Sequence, residues 1–144
     1  MNSRFLSSVV VCFVLLVGFG WVIADVILQT QYRSITADGI GPLFRLHFEA
    51  RHIAALLLGH AILAVAFVWI YSCGKEDKPF VGQGIRYGLA VAALVAAPKY
   101  LLYYAVQPMP HMLVVWQIVY ESIALVLIGI AVAGIYGCKG KAAL

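Results

Sequence analysis

Four stretches of this chain stay apolar for long enough to cross a lipid bilayer: about Phe5 to Leu28, His52 to Tyr71, Tyr87 to Val106 and Met112 to Tyr136. A hydrocarbon core of about 30 Å takes around 20 residues of helix at 1.5 Å each. Short clusters of charge, Gly and Pro separate the blocks. The 144 residues are 64% hydrophobic and only 11% charged, too few polar groups to cover a soluble domain of this length. The expected fold is an all-α integral membrane protein, a four-transmembrane-helix bundle forming a single domain.

The net charge of +4 does not point to nucleic acid, because the basic residues sit at the ends of apolar blocks and form no stripe with interleaved aromatics. They read as topology signals. Arg4, Lys75, Lys78, Arg86, Lys139 and Lys141 fall on one side of a four-span chain, and Arg33, Arg45 and Arg51 on the other. Six against three places both termini in the cytoplasm. Val22-Ile23-Ala24 before Asp25 resembles a signal-peptidase site. The apolar stretch is nonetheless longer than an ordinary signal core, and bulky Trp21 stands close by, so the segment is expected to remain as an anchor. Cys12, Cys73 and Cys138 are an odd, scattered set without a CxxC pair, which indicates neither a disulfide framework nor a zinc site.

The connections differ. Gly74 to Pro79 is a short polar turn, and Gln107-Pro108-Met109-Pro110 is a tight turn that makes antiparallel neighbours of the third and fourth spans. The one long link, Gln29 to Arg51, carries a turn signal at Asp38 to Pro42. Leu43-Phe44-Arg45-Leu46-His47-Phe48 follows it, and its basic and apolar alternation predicts an interfacial segment lying in the headgroup layer. Helices in lipid associate through close packing and hydrogen bonds. Gly129, Ala133 and Gly137 in the fourth span, Ala92 and Ala96 in the third and Gly18 in the first are the candidate small-residue contacts.

Ionisable side chains at membrane depth are costly, and each needs an account. Counted inward from the outer turns, Lys99 lies roughly 12 Å deep, Glu121 roughly 16 Å and His60 roughly 13 Å. Lys99 continues the face of Ala92 and Ala96, with Tyr103 one turn on; Gln117 and Glu121 share a face of the fourth span. A Lys99–Glu121 ion pair beside His60 is therefore expected, with Tyr100, Tyr103, Tyr104 and Tyr120 as hydroxyl partners and a kink at Pro98. Asp25, Glu49, Arg51, His52 and His111 form a second polar layer near the outer surface, where Asp25 could pair with Arg51.

Two deep charges can fix helix register or serve a proton or ion path. A b-type haem would need two facing imidazoles, which His52 and His111 alone could supply, so a haem-carrying bundle ranks as a third reading and no cofactor is expected. Glu49-Ala50-Arg51-His52 has the Glu-x-x-His spacing of a carboxylate di-iron site, but it occurs once where such a site needs it twice. HExxH, Rossmann, P-loop and hydrolase signatures are absent, and no nucleophile has an adjacent base. The expected role is a non-enzymatic accessory or scaffold subunit that packs against other membrane protein subunits. A self-associating protein that moves protons or ions through the Lys99, Glu121 and His60 layer is the alternative. From Phe67 to Tyr136, the runs Phe-Val-Trp-Ile-Tyr, Gly82-Gln-Gly-Ile-Arg-Tyr-Gly88 and Tyr100-Leu-Leu-Tyr-Tyr-Ala-Val-Gln-Pro-Met-Pro110 resemble small four-helix proteins of the bacterial inner membrane. That resemblance implies topology and location, and it carries no activity to transfer.

Overall fold

The computed structural model describes residues 3–35, 49–76 and 79–137. The segment expected at Leu43 to Phe48, with His47, and also Lys78 and the tail from Cys138 lie outside them. Among the described residues there is no strand, and four helices are long and apolar enough to span a membrane: Ser3–Ile27, Ala50–Gly74, Phe80–Val106 and His111–Tyr136.

The first of these is α1 (Ser3–Trp21) continued by a π-helical turn, Val22–Ile27. The wider turn closes where the Leu28 N–H donates to the Ile23 carbonyl at 2.9 Å. A short helix, α2 (Gln29–Ile35), follows, its Tyr32 N–H donating to the Leu28 carbonyl at 3.0 Å. The second span is α3 (Ala50–Gly74). The third is built from α4 (Phe80–Val91), a π-helical turn (Ala92–Ala96) and α5 (Ala97–Val106). The fourth is α6 (His111–Gly137).

Three spans begin and end within a few residues of their expected limits. The third begins at Phe80 and not near Tyr87, and Gln83, the uncharged polar residue of the added turns, finds partners at the end of α3. Gln83 accepts a hydrogen bond from the Tyr71 hydroxyl at 2.7 Å and donates to the Glu76 carbonyl at 3.0 Å. At Pro98 the expected disturbance takes a specific form. Pro98 has no N–H to offer the carbonyl four residues back, and the backbone widens just before it, with the Ala97 N–H donating to the Ala92 carbonyl. Single π-helical turns of this kind absorb one extra residue without breaking the helix.

Packing radiates from α6, which lies against α4 on one side and α1 on another, while α3 packs on α1. The tightest contact is glycine on glycine. A Cβ at Gly84 would come within 2.6 Å of Ile130 Cα, and one at Gly88 within 2.5 Å of Val126 Cα; Gly129 faces both glycines from α6. In a bilayer, where apolar surroundings supply little drive to associate, close backbone approach of this kind holds helices together. Gly18, expected to play this part in the first span, has open space where its Cβ would be. The packed face of α1 is instead Ser8, Cys12 and Leu16. The main core gathers in the half of the bundle that holds the α3–α4 link, with Cys12, Ala64, Phe67, Val68, Ala96, Ile128 and Val132 buried. Towards the other end the bundle loosens, and α3 is exposed without interruption from Ile53 to Gly59.

Candidate functional site

The turn that follows α5 sets the site. The Gln107 N–H closes α5 onto the Tyr103 carbonyl at 2.8 Å, and the Met109 N–H reaches the Gln107 carbonyl at 2.7 Å. Pro110 then starts α6 by accepting from the N–H groups of Leu113 and Val114. Met109 is buried and holds the turn down. This hairpin brings positions nearly equidistant from the turn face to face, and those positions carry Lys99 and Glu121.

Lys99 Nζ donates to both carboxylate oxygens of Glu121, at 2.6 and 2.7 Å. The ammonium also stands 4.4 Å from the centre of the Tyr100 ring, where the negative face of the π system adds to its binding. The Tyr100 hydroxyl lies near enough to the same carboxylate to feel its charge. Tyr103 reaches the group only through the edge of Tyr100, with ring centres 6.3 Å apart. It is 44% exposed and has no direct bond to the pair.

One turn before Glu121 on α6 is Gln117, 2% exposed. Its Nε2 donates to the hydroxyl of Tyr32, which α2 brings in from the far side of the Leu28 break. Burial pushes the Tyr32 phenol above its ordinary value; the hydrogen bond from Gln117 opposes this, and the nearby Glu121 carboxylate adds to it. Gln117 Oε1 is buried with no hydrogen-bond partner. Turning the amide over would let Tyr32 donate to the oxygen and would leave the amine as the unpaired end. In either orientation one polar atom of Gln117 faces the interior without a protein partner. Beneath the network Leu28 and Leu113 form a small apolar cluster with Ile23, Tyr32 and Tyr120, and Tyr120 stacks on Trp116.

His60 is directed elsewhere. Its Nδ1 is 2.8 Å from the Leu56 carbonyl on its own helix, and a Cβ at Gly20 of α1 would lie 3.6 Å from its Nε2. Its neighbours are thus α1 and α3, and no bond joins it to Lys99 or Glu121. Depth alone put the three residues in one layer; the rotation of α3, set by its packing on α1, decides which neighbour the imidazole meets.

The outer group also resolves into local structure. Glu49 and His52 form a reciprocal cap at the start of α3, in which the Glu49 side chain accepts from the His52 N–H and His52 Nδ1 accepts from the Glu49 N–H at 3.3 Å. The Glu-x-x-His spacing is that of a capping box with His in the place of Glu. Arg51 pairs with Glu49 at 2.7 Å, both side chains being largely exposed. The Asp25–Arg51 pair allowed by the sequence is not formed: Glu49 is two residues from Arg51, whereas Asp25 sits exposed on the π-helical turn. His111 opens α6 and is exposed. Among the described residues no group of three or more His, Cys, Asp and Glu side chains could hold a metal ion.

Sequence reasoning missed Tyr32, because nothing in the apolar run to Leu28 announces that the chain turns there and continues as a helix. The Gly84 and Gly88 contact was readable as a small-xxx-small spacing, but Gly84 lay ahead of the expected start of the third span. Compared with known proteins, the chain matches no family model, no curated protein and no solved structure.

Proposed function

We propose that this chain is a non-enzymatic membrane subunit whose charged seam between α5 and α6 is covered by other subunits of a larger membrane complex. The observation that carries the proposal is the incomplete enclosure of the ion pair. The side chains of Lys99 and Glu121 remain 36% and 19% exposed, at a depth where the surroundings of a lone bundle would be hydrocarbon. A paired charge facing lipid is disfavoured relative to one facing protein. The apolar outer half of α3 gives a partner further surface on the same half of the bundle. The distribution of Lys and Arg supports both termini on the cytoplasmic side, and the resemblance to small four-helix bacterial proteins supports the inner membrane as the setting.

A second role has its own observation. Gln117 keeps a buried polar atom unpaired one turn from Glu121, a place where water could enter and where a self-associated form could pass protons or ions. The native mass and composition of the tagged protein, extracted in mild detergent from its own membranes, separate the two. Larger subunits in fixed stoichiometry are the expected result. A small homo-oligomer alone would overturn the accessory role, and proton flux in vesicles lost in Glu121→Gln would then support the second.

A further inference from the structure

We infer that the end of the bundle carrying the α3–α4 link binds the phosphodiester headgroup of an anionic phospholipid, with Arg86 as its anchor. A cleft of about 220 Å³ opens there, lined by Gly74, Glu76, Gln83, Arg86 and Tyr87. Its polar groups can be accounted for one by one. Both ends of the Gln83 amide are used, towards Tyr71 and the Glu76 carbonyl. The Tyr87 hydroxyl donates to the Phe67 carbonyl. Glu76 has interactions of its own. Arg86 is exposed and has no hydrogen bond or ion pair among the described residues. A guanidinium with five donors thus stands in a cleft in which its neighbours are already committed.

Depth identifies the ligand. Arg86 lies 20 residues before Val106, about 30 Å of helix, which is the thickness of a hydrocarbon core. On α3, Gly74 lies 22 residues after His52, about 33 Å by the same count. If the outer ends of these helices mark one face of the bilayer, the cleft opens at the headgroup level of the other. Lys75, whose Nζ stands 5.5 Å from the centre of the Tyr136 ring, adds a second cation at the same end of the bundle. The planar fork of Arg matches two oxygens of a phosphate, and acyl chains would run along the exposed apolar flanks of α3 and α4. Lipid binding at this cleft does not depend on whether the chain has protein partners.

The test is native mass spectrometry of the full chain, delipidated and then equilibrated in detergent with equal amounts of phosphatidylglycerol and phosphatidylcholine. The wild type is expected to retain phosphatidylglycerol preferentially. Arg86→Gln should lower that preference about fivefold, the effect of one interfacial cation, and Arg86→Lys should lower it less. Equal retention of the two lipids by the wild type overturns the proposal without reference to any variant. So does an Arg86→Gln protein, folded by circular dichroism, that keeps the full preference. Release of the lipid by millimolar inorganic phosphate would make this a site for soluble anions and would overturn its assignment to lipid.

Discussion

Without its carboxylate, Glu121 would leave Lys99 with only the Tyr100 ring and no counter-charge. Without its ammonium, Lys99 would leave the Glu121 carboxylate with no counter-charge. Losing one partner of a poorly solvated pair costs more than losing both, because the survivor stays charged where it cannot be hydrated. Glu121→Gln and Lys99→Met are each expected to destabilise the protein by about 3 kcal/mol, and the double variant to recover most of that loss. Reversible unfolding in detergent across the four proteins of the cycle measures this coupling; additive losses would show that the two side chains act separately. This pair was legible in the sequence because Gln-Pro-Met-Pro fixes α5 and α6 as antiparallel neighbours, so equal distance from the turn is enough to predict contact. His60 lacked that constraint. Its depth could be counted, but its direction depends on how α3 rotates against α1. Arg51 shows the opposite failure, since a carboxylate two residues away, at Glu49, had priority over the more distant one considered for it.

Between α4 and α6 the same physics works through what is missing from the side chains. At Gly88, even a methyl group would meet the backbone of Val126, which cannot move aside as a flexible side chain could. Gly88→Ala is expected to cost about 1–3 kcal/mol through overpacking. Gly18→Ala, with nothing within 4 Å of the added carbon, should be neutral or stabilising by up to about 1 kcal/mol, as helix propensity dictates. Unfolding of both variants beside the wild type checks the contrast, and equal effects would mean that the α4–α6 contact is looser than its geometry. Helix number and approximate limits were readable from apolar length alone. The added turns of α4 were not, because Gln83 and Arg86 look like residues of a link until the Gln83 amide is seen to accept from Tyr71 and donate to the Glu76 carbonyl. Pro98 announced a disturbance, but only the structure distinguishes a π-helical turn that keeps Ala92 and Ala96 buried from a break that would separate them.

Across the whole molecule, the two ends of the bundle differ both in their basic residues and in their packing. The better packed half of the bundle carries the α3–α4 link with Lys75 and Arg86, and the looser half carries Glu49, Arg51 and the ion pair's turn at Gln107 to Pro110. If the positive side faces the cytoplasm, the open flank of α3 and the seam at Lys99 and Glu121 belong to the outer half of the membrane, where a covering partner would have to lie. Cys73 offers a direct check, since it is exposed near the end of α3 whereas Cys12 is buried. In a Cys138→Ser protein, a membrane-impermeant maleimide is expected to leave Cys73 unmodified in right-side-out cells and to modify it in inverted vesicles. Modification of intact cells alone would place the α3–α4 link outside. That outcome would reverse the orientation, move the proposed lipid cleft to the opposite leaflet and require the partner of the α5–α6 seam to be sought from the cytoplasmic side.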